Sequence, residues 1–417
     1  MSKLDVSAIR AAFPALQQDQ VFLDNAGGSQ TLGTVIDSIR DYLSNNNVQL
    51  GATYPVGQKC NALFDKGEAA GAKYINASTD EIGSYSWPGT VTDEHTLTFD
   101  AVFGSSTTQL FRNLSFTLQF NEGDELVVSQ VDHEANIASW VDLAARQKLV
   151  LKWWKPKDLS NPKLFASDLP ELLSSRTRLV TCTHSSNILG TIHDIPAIAR
   201  EVHKIPGAML CVDGVAYAPH RPIDVKAFGV DFYCFSWYKV YGPHVSMLYA
   251  SHDAQKHMKS LGHFFNPSAT LKDKLALAGG NYELVQSISK VVDYLTSGAH
   301  EWESMIAHEA ELSSVLLKYL NSRPEITVRG ETTADPSKRL ATVSFSIDGW
   351  SPRKFVETVE AQSNYGFRWG AFYSNRLVCE LLGQTDEGIV RISMAHYTTV
   401  DEIKGIIAEM DKVLSSP

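Results

Sequence analysis

The sequence has no cysteine pair at a metal-binding or redox spacing, no hydrophobic run long enough to span a membrane and no excess of positive charge. Its five cysteines are scattered, so we expect reduced, mostly buried thiols rather than disulfides. The formal net charge of -10 leaves no basic surface for nucleic acid or an anionic membrane. The first residues resemble neither a signal peptide nor a transit peptide. These absences favour a cytoplasmic protein with no metal site and no nucleic-acid or membrane partner.

The middle of the chain alternates short β-rich runs with segments that have room for a helix. This pattern is typical of an α/β fold in which helices cover both faces of a mostly parallel sheet. The length of 417 residues allows two or three domains, each with its own core. The predicted strands are residues 126–131, 149–154, 179–183, 209–212, 232–235 and 245–249.

The pattern changes after about Gly279. Apolar residues at helical spacing predict one long helix over 282–320, which leads into a smaller α+β unit. That unit has strand candidates at 326–328, 342–347 and 389–395 and helix candidates at 352–362 and 399–414, the last with a capping box. We therefore predict an N-terminal segment (1–25) packed with the small domain, a large domain (26–280), and a connector helix with a small domain (281–417).

Lys239 and Asp213 each follow an apolar run that reads as a buried strand. Open α/β sheets place their ligand crevice beyond the carboxyl ends of such strands, where a lysine amine is partly desolvated and becomes a better nucleophile. Taken alone, Lys239 could be an ordinary surface lysine and Asp213 an ordinary turn residue. Together they suit pyridoxal phosphate (PLP), whose aldehyde needs a lysine and whose ring nitrogen needs a carboxylate.

Three hydroxyl residues, Ser105, Ser106 and Thr107, precede an amphipathic run at 110–120 that predicts a helix. A helix N-terminus presents free N–H groups and the positive end of its dipole to a phosphate. An ordinary serine or threonine cap would give the same local pattern. No G-K-[ST] motif follows, which argues against a nucleoside triphosphate.

The other candidate site residues lie just after a predicted strand or near the start of one. His133 would stack on a cofactor ring or transfer protons, or simply cap a helix. Asn187 would hydrogen-bond a ring hydroxyl, or fill a turn. Arg391 opens the strand candidate at 389–395 and is our choice for the carboxylate of an amino-acid substrate, with Arg368 as a second candidate. Without a cofactor, both arginines would be read as solvated charges.

Taken in order, these residues resemble the class V aminotransferase family of fold-type I PLP-dependent enzymes, in its cysteine desulfurase-like group. The similarity starts at the motif of residues 21–27 and covers nearly the whole chain. It implies PLP as the cofactor and catalytic roles for Lys239 as the Schiff-base lysine, for Asp213 and for His133. It also implies a homodimer with active sites near the subunit interface. The implied cofactor-binding residues are Ser105, Ser106, Thr107, His133, Asn187, Asp213, Ser236, Tyr238, Lys239 and Gly280, and the substrate-binding residues are Arg391, Arg368, Asn25 and Tyr373.

The sequence also departs from that group. Tyr238 stands where desulfurases have a histidine, and Ala216 stands where they have a glutamine. At the position of the sulfur-accepting cysteine the chain has Tyr373, whose phenol cannot carry sulfane sulfur, and Cys379 lies six residues further on. Residues 236–244 are instead similar to fungal PLP enzymes of alkaloid biosynthesis, such as the loline-pathway enzyme.

We therefore expect chemistry at Cα of an amino acid through Lys239, ending in a lyase, decarboxylative or carbon–carbon bond-forming (ring-forming) outcome of alkaloid-type secondary metabolism. Trp369, Phe372 and Tyr373 would line a pocket for a bulky or cyclic substrate, or would simply pack together. The alternatives are a cysteine desulfurase-like enzyme or cysteine-conjugate C–S lyase, an aminotransferase, and a non-catalytic scaffold protein that kept the fold.

Overall fold

A computed structural model of the chain describes residues 4–77, 101–265, 270–276, 279–297 and 301–415. The strands are β1 Val21–Phe22, β2 Ala101–Gly104, β3 Glu125–Ser129, β4 Val150–Trp154, β5 Thr177–Thr183, β6 Met209–Asp213, β7 Phe232–Ser236, β8 Ser246–Ala250, β9 Ile326–Arg329, β10 Thr342–Ile347, β11 Tyr365–Gly366, β12 Arg368–Gly370 and β13 Ile389–Ser393. The helices are α1 Val6–Ala11, α2 Gly33–Asn45, α3 Pro55–Tyr74, α4 Thr107–Thr117, α5 Ala138–Gln147, α6 Ile195–Val202, α7 Val225–Phe228, α8 His252–Gln255, α9 Leu271–Leu275, α10 Tyr282–Thr296, α11 Trp302–Ser322, α12 Pro352–Ala361 and α13 Val400–Ser415.

The large sheet has the strand order β2-β8-β7-β6-β5-β3-β4. Strands β4, β3, β5, β6 and β7 are parallel to one another, whereas β8 runs antiparallel to both of its neighbours, β7 and β2. The predicted α/β fold with a mostly parallel sheet is confirmed. The six predicted strands begin and end within a few residues of their predicted positions because each apolar run is as long as the strand it forms, whereas β2 was not predicted.

Side chains of the central strands alternate between two cores, one on each face of the large sheet. Leu126 and Val128 of β3 belong to the core that contains Leu114 of α4 and Trp140 of α5. Val127, between them, belongs to the opposite core, which also holds residues of α6 and α10. Successive side chains of a strand point to opposite faces, so a strand buried on both sides needs a continuous apolar run.

A smaller antiparallel sheet has the order β12-β13-β10-β9 and packs against α11, α12 and α13. The N-terminal segment joins this unit, because β1 pairs in parallel with β11 and Leu23 lies in the same core. The predicted capping box is confirmed at the start of α13. Thr399 N–H donates to the Glu402 carboxylate (2.7 Å), and Glu402 N–H donates to the Thr399 hydroxyl (3.0 Å).

The prediction of one continuous helix over 282–320 was wrong. Helix α10 ends at Thr296 and α11 begins at Trp302. The sequence at 297–298 is Ser-Gly, a pair with low helix propensity, and the apolar periodicity on either side concealed this break. No helix in the described ranges combines the length and the apolar character needed to cross a lipid bilayer.

Helices α3 and α10 approach closely at Gly67. A Cβ built on Gly67 would lie 2.2 Å from the carbonyl oxygen of Val285 and 2.8 Å from Cα of Gln286. Both neighbours are backbone atoms, which cannot move aside as a flexible side chain would. Glycine is therefore required at this position by packing, although it is a poor helix former.

We expect Gly67→Ala to destabilise the protein by about 1–3 kcal/mol, because overpacking outweighs the better helix propensity of alanine. The midpoint of thermal unfolding should fall. Lys66→Ala, at the exposed neighbouring position, is the matched control and should change stability by no more than about 0.5 kcal/mol. An unchanged or higher midpoint for Gly67→Ala would show that the two helices can separate without cost.

Candidate active site

Several of the predicted site residues lie at one edge of the large sheet. Strands β6 and β7 end there at Asp213 and Ser236. Because β8 is antiparallel, its first residue, Ser246, pairs with Ser236 and with Gly104, the last residue of β2. The start of one strand therefore meets the ends of the others. Sequence reasoning missed Ser246, since the direction of β8 could not be read from its composition.

Lys239 lies in a single 3-10 turn, Trp237–Lys239, directly after β7. Its side chain is 8% exposed. Within the described residues its Nζ has no hydrogen-bond or ion-pair partner, and its nearest ring contact is Tyr238, 5.8 Å away at the centroid. Burial and the charge of Arg391 lower the pKa of Lys239 to about 8, against the opposing effect of Asp213. The amine is therefore buried, has no partner among the described residues and loses its proton more readily than an ordinary lysine.

Asp213 presents one free carboxylate oxygen. Oδ1 accepts a hydrogen bond from Val215 N–H (2.9 Å), and over the described ranges Oδ2 has no hydrogen-bond partner. Burial raises the pKa of Asp213 to about 6, while the Val215 N–H and the charge of Lys239 act in the opposite direction. The group is mostly ionised at neutral pH, as a partner for a protonated ring nitrogen should be.

A chain of buried hydroxyls links the first residue of α4 to the end of β7 and the start of β8. Thr107 Oγ1 lies 2.8 Å from Ser236 Oγ, and Ser236 Oγ lies 2.6 Å from Ser246 Oγ. The first N–H groups of α4 have no partner within the helix, as at every helix start. Hydroxyls and N–H groups at a helix N-terminus form an anion-binding arrangement.

Ser105 and Ser106, just before α4, make hydrogen bonds within their own segment. Ser106 is the helix cap, accepting from Gln109 N–H (3.1 Å). Ser105 donates through both its N–H and its hydroxyl to Gln109 Oε1, each at 2.9 Å. The capping interpretation therefore applies to Ser106, and the predicted contacts of both serines with a phosphate stay predictions.

His133 is held as a neutral ring. It caps the short 3-10 helix Glu134–Asn136, and its Nδ1 accepts from Ala135 N–H (3.0 Å). Burial, together with the charges of Lys239 and Arg391, lowers the pKa of His133 to about 4. With Nδ1 an acceptor, the proton of the neutral ring is on Nε2. His133 therefore does cap the short helix, and its Nε2–H and ring faces remain available to a ligand.

Two arginines share one carboxylate. Arg391 and Arg368 stand opposite each other on β13 and β12. Asp24 Oδ1 lies 2.7 Å from Arg391 Nη2, and Oδ2 lies 3.2 Å from Arg368 Nη1. Arg391 is buried, and its Cζ lies 3.7 Å from the ring centroid of Phe372. Sequence reasoning missed Asp24, although it belongs to the 21–27 motif that carried the resemblance.

The side-chain amides of Asn187 and Asn25 are engaged within the protein. Asn187 Nδ2 donates to Phe372 O (3.2 Å), and its Oδ1 accepts from the Ser374 hydroxyl (3.1 Å). Asn25 Nδ2 donates to two backbone carbonyls, and its Oδ1 accepts from the Tyr397 hydroxyl. Both residues therefore hold neighbouring segments in place. Their predicted ligand contacts stay predictions.

The three remaining candidate site residues are Tyr238, Tyr373 and Gly280. Tyr238 stacks on His244 with a centroid distance of 4.8 Å and an interplanar angle of 3°. Tyr373 is 75% exposed, and its ring centroid lies 5.3 Å from that of His133. Gly280 is exposed shortly before α10. Its predicted approach to the phosphate of a second subunit stays a prediction.

These groups match the chemical needs of PLP. The cofactor requires an accessible amine, a carboxylate for its ring nitrogen and donors for its phosphate. Among the described residues, the Lys239 amine and one Asp213 oxygen have no partner. Thr107, at the start of α4, and Ser236, at the end of β7, place hydroxyls on the same sheet edge.

Three fungal relatives align with nearly the whole chain. An aminotransferase-like protein, FGM3, from Gibberella zeae is 51% identical over 99% of each chain. A cysteine desulfurase-like protein, ustD, from Aspergillus flavus is 37% identical over 99% of this chain and 91% of its own. A nonribosomal peptide synthetase-like enzyme, fsqF, from Aspergillus fumigatus is 37% identical over 98% of this chain, which spans 26% of that protein.

Solved structures share the fold. Apo cysteine desulfurase from Thermococcus onnurineus matches with a TM-score of 0.85 and 19% identity over 99% of this chain and 98% of its own. The enzyme C-DES with glycine covalently linked to its PLP cofactor matches with a TM-score of 0.77 and 19% identity, over 96% and 98% of the two chains. The family model described as aminotransferase class-V matches residues 97–406. The chain therefore belongs to the class V aminotransferase family of PLP-dependent enzymes.

Proposed function

We propose that this enzyme uses Lys239 to act at Cα of an amino acid, and that the reaction ends in loss of a substituent or in formation of a carbon–carbon bond. The single observation that carries the proposal is the buried amine of Lys239, which has no partner in the described part of the chain. Its fungal relatives, one of them a nonribosomal peptide synthetase-like enzyme, support a place in secondary metabolism.

When bound, PLP supplies an aldehyde that condenses with amines and a ring that withdraws electrons from Cα. The protein supplies the rest. Lys239 would hold the cofactor through its amine and would be placed to accept or return the proton at Cα of the substrate. Asp213, ionised in its buried position, would hold the protonated ring nitrogen. The neutral ring of His133, whose Nδ1 accepts from Ala135 N–H, would pack against the cofactor.

Arg391 orients the carboxylate of the substrate. Its guanidinium is held on three sides, by Asp24, by the backbone carbonyl of Asn187 and by the ring of Phe372. A side chain held in this way loses little freedom when a ligand arrives, which favours a defined substrate geometry. That geometry decides which bond at Cα breaks.

Sulfur transfer is disfavoured by the loop after β12. Tyr373 takes the place of an acceptor cysteine, and its backbone carbonyl is fixed by Glu134 N–H at 2.7 Å. Burial raises the pKa of the Cys379 thiol, whose Sγ lies 3.8 Å from the backbone carbonyl oxygen of Thr385. A protonated thiol bound in this way is a poor nucleophile. The alternative of a desulfurase is therefore the weaker one.

We extend the proposal to a homodimer. Phe264 is 99% exposed and Phe265 is 70% exposed, in the segment that precedes Gly280. Two adjacent phenyl rings in water are unfavourable and typical of a surface that another chain covers. Light scattering coupled to gel filtration should give twice the chain mass of 46.0 kDa.

Lys239→Ala should remove the covalent link to PLP. The wild-type protein should show the visible absorbance of a lysine-bound cofactor, and borohydride should fix the cofactor on the peptide that contains Lys239. The variant should lose the visible band and the labelled peptide, with at least a thousandfold lower turnover of any substrate. Lys274→Ala, a second buried lysine away from this sheet edge, is the control that should retain both. Labelling elsewhere would refute the role of Lys239.

Uptake of PLP by cofactor-free protein should speed up as pH rises. Only the neutral amine attacks the aldehyde, and the lowered pKa of Lys239 places the midpoint at pH of about 8, against ~10.4 for an ordinary lysine. Arg391→Met removes a nearby positive charge that lowers this pKa, so the midpoint should move to higher pH. A midpoint that stays unchanged in the variant would show that Arg391 does not act on the amine.

Amino acids incubated with the enzyme in deuterated buffer should reveal the reaction class. We expect exchange or loss of the Cα proton, or release of carbon dioxide, without added keto acid, as followed by proton NMR. Strict dependence on a keto acid would identify an aminotransferase. Alanine formed from cysteine, with sulfide released by an added thiol reductant, would identify a desulfurase, whereas pyruvate, ammonia and sulfide would identify a C–S lyase. Either result would contradict the proposed bond chemistry.

A further inference from the structure

We propose that Ser29 is a positioning residue for Lys239, whose hydroxyl fixes the turn that carries this lysine and thereby keeps the amine buried at the sheet edge. The inference rests on the proposed function, in which the Lys239 amine bonds to the cofactor, and it deepens that function. Ser29 lies between β1 and α2, far from Lys239 in the chain. Sequence reasoning gave it no role, because periodicity does not show which loop packs against a turn.

Ser29 hydrogen-bonds to the backbone on both sides of Lys239. Its N–H and its hydroxyl both donate to the Tyr238 carbonyl oxygen, each at 3.2 Å. Ser29 Oγ in turn accepts from Tyr241 N–H at 2.8 Å. A hydroxyl has one proton and two lone pairs, so both contacts of Oγ can form at once. The Tyr238 carbonyl belongs to the peptide bond that joins Tyr238 to Lys239, so Ser29 orients the peptide plane to which Lys239 is attached.

The hydrogen bonds within the turn do not engage the two groups that Ser29 binds. Val240 N–H and Gly242 N–H both donate to the Trp237 carbonyl, at 2.8 and 3.0 Å. Tyr241 is fully buried, so its N–H has little access to water. A buried donor without an acceptor is strongly unfavourable. Removal of the Ser29 hydroxyl would therefore leave the turn under pressure to rearrange.

Tyr241 is the strained residue of this segment. Its φ is 60°, in the left-handed region that a residue with a Cβ rarely adopts. Such a conformation persists only where surrounding contacts sustain it. Ser29 Oγ holds the Tyr241 N–H, and Leu32 N–H donates to the Tyr241 carbonyl at 3.1 Å. Without the Ser29 hydroxyl, we expect the backbone of Tyr241 to relax and that of Lys239 to move with it.

Gly28 allows Ser29 to approach the turn. A Cβ built on Gly28 would lie 3.3 Å from Cδ2 of the Tyr238 ring, which is closer than side chains normally pack. The backbone of Gly28 therefore lies against that ring, and the next residue, Ser29, reaches the Tyr238 carbonyl. The same segment carries Asp24, which binds Arg391. One short loop thus contacts both the lysine turn and the arginine proposed to hold the substrate carboxylate.

The burial of the Lys239 amine depends on the conformation of this turn. Burial is the largest cause of its lowered pKa. A relaxed turn would let the flexible lysine side chain reach water, which favours the charged form. The variants below keep the charged and titratable side chains around the amine, which are Arg391, Asp213, Asp24, Arg368, His133 and Tyr238.

The pKa of the Lys239 amine can be measured without a cofactor. Full-length, cofactor-free protein is labelled with a trace of acetic anhydride over a range of pH, and mass spectrometry quantifies acetylation of the peptide that contains Lys239. In Ser29→Ala we expect this pKa to rise by about 1, toward the ~10.4 of an ordinary lysine. Uptake of PLP by this variant at pH 7 should be about tenfold slower, because about a tenth as much neutral amine is present.

Ser38→Ala is the matched control. Ser38 is a half-buried serine whose hydroxyl donates to Gln286 Oε1 at 2.9 Å, away from the turn. This variant should lower the midpoint of thermal unfolding and leave the pKa of Lys239 unchanged. Ser29→Thr keeps the hydroxyl and should keep the wild-type pKa. Ser29→Cys keeps the volume but has a weaker donor and acceptor, so the pKa should rise by less than in Ser29→Ala. It decides the question if Ser29→Ala does not fold.

Four results would overturn the inference. The pKa of Lys239 could keep its wild-type value in Ser29→Ala and Ser29→Cys while the thermal midpoint falls, which would make Ser29 purely structural. It could rise equally in Ser38→Ala, rise in Ser29→Thr as much as in Ser29→Ala, or already be that of an ordinary lysine in the wild type. A wild-type protein with the lowered pKa that takes up no PLP would instead contradict the proposed function, and the variants would still decide the role of Ser29.

Discussion

Burying a lysine amine without a partner costs free energy, and the site depends on how the fold sustains that burial. A charged amine in a low-dielectric site is strongly disfavoured, so the group responds by giving up its proton more readily. Strand β7 and the 3-10 turn after it carry Lys239 into the sheet edge, and Tyr241 adopts a left-handed conformation (φ 60°) to turn the chain away. The structure therefore holds an amine suited to covalent bonding, with no hydrogen-bond or ion-pair partner in the part of the chain that is described.

The charges around Lys239 are arranged so that an anion completes them. Asp24 is shared by Arg391 and Arg368, which leaves the pair with one positive charge in excess. Two guanidiniums opposite each other on neighbouring strands would repel without this carboxylate. Gly27 allows the approach, because a Cβ there would lie 2.7 Å from Asp24 Oδ2. The substrate carboxylate proposed to bind Arg391 would balance this excess charge.

The sequence predicts the strand-end residues well and the rest of the site poorly. Asp213 and Lys239 were readable because each closely follows an apolar run, and parallel strands bring their carboxyl ends to one edge. Asp24 and Ser246 were not readable. Asp24 reaches the site through a pairing with Ser393, hundreds of residues away, and Ser246 depends on the antiparallel direction of β8. Periodicity records local structure, whereas these contacts depend on tertiary pairing.

Tertiary pairing also explains why the hydrogen-bond partners of Asn187 and Asn25 could not be predicted from the sequence. Asn187 was predicted to bind a ring hydroxyl because it follows a predicted strand, with a turn as the alternative, and Asn25 was assigned to the substrate by the family resemblance. The structure supplies partners that no local pattern contains, since the loop at 371–374 and the segment after β13 fold back onto them. Residue type thus indicated where polar side chains lie, and the fold decided what they bind.

The loop between β12 and the π-helix Arg376–Leu381 has an unusual backbone conformation that surrounding contacts stabilise. Phe372 and Tyr373 are consecutive non-glycine residues in the left-handed region, with φ of 49° and 60°. Such a conformation costs of order 1–2 kcal/mol per residue, so surrounding contacts must sustain it. They do so through Glu134 N–H on the Tyr373 carbonyl and through Asn187 on the backbone of Phe372. A sulfur carrier needs a loop that moves toward and away from the reacting atoms, whereas these two contacts hold the backbone of this loop at successive residues. The loop backbone therefore supports the proposal of a reaction other than sulfur transfer.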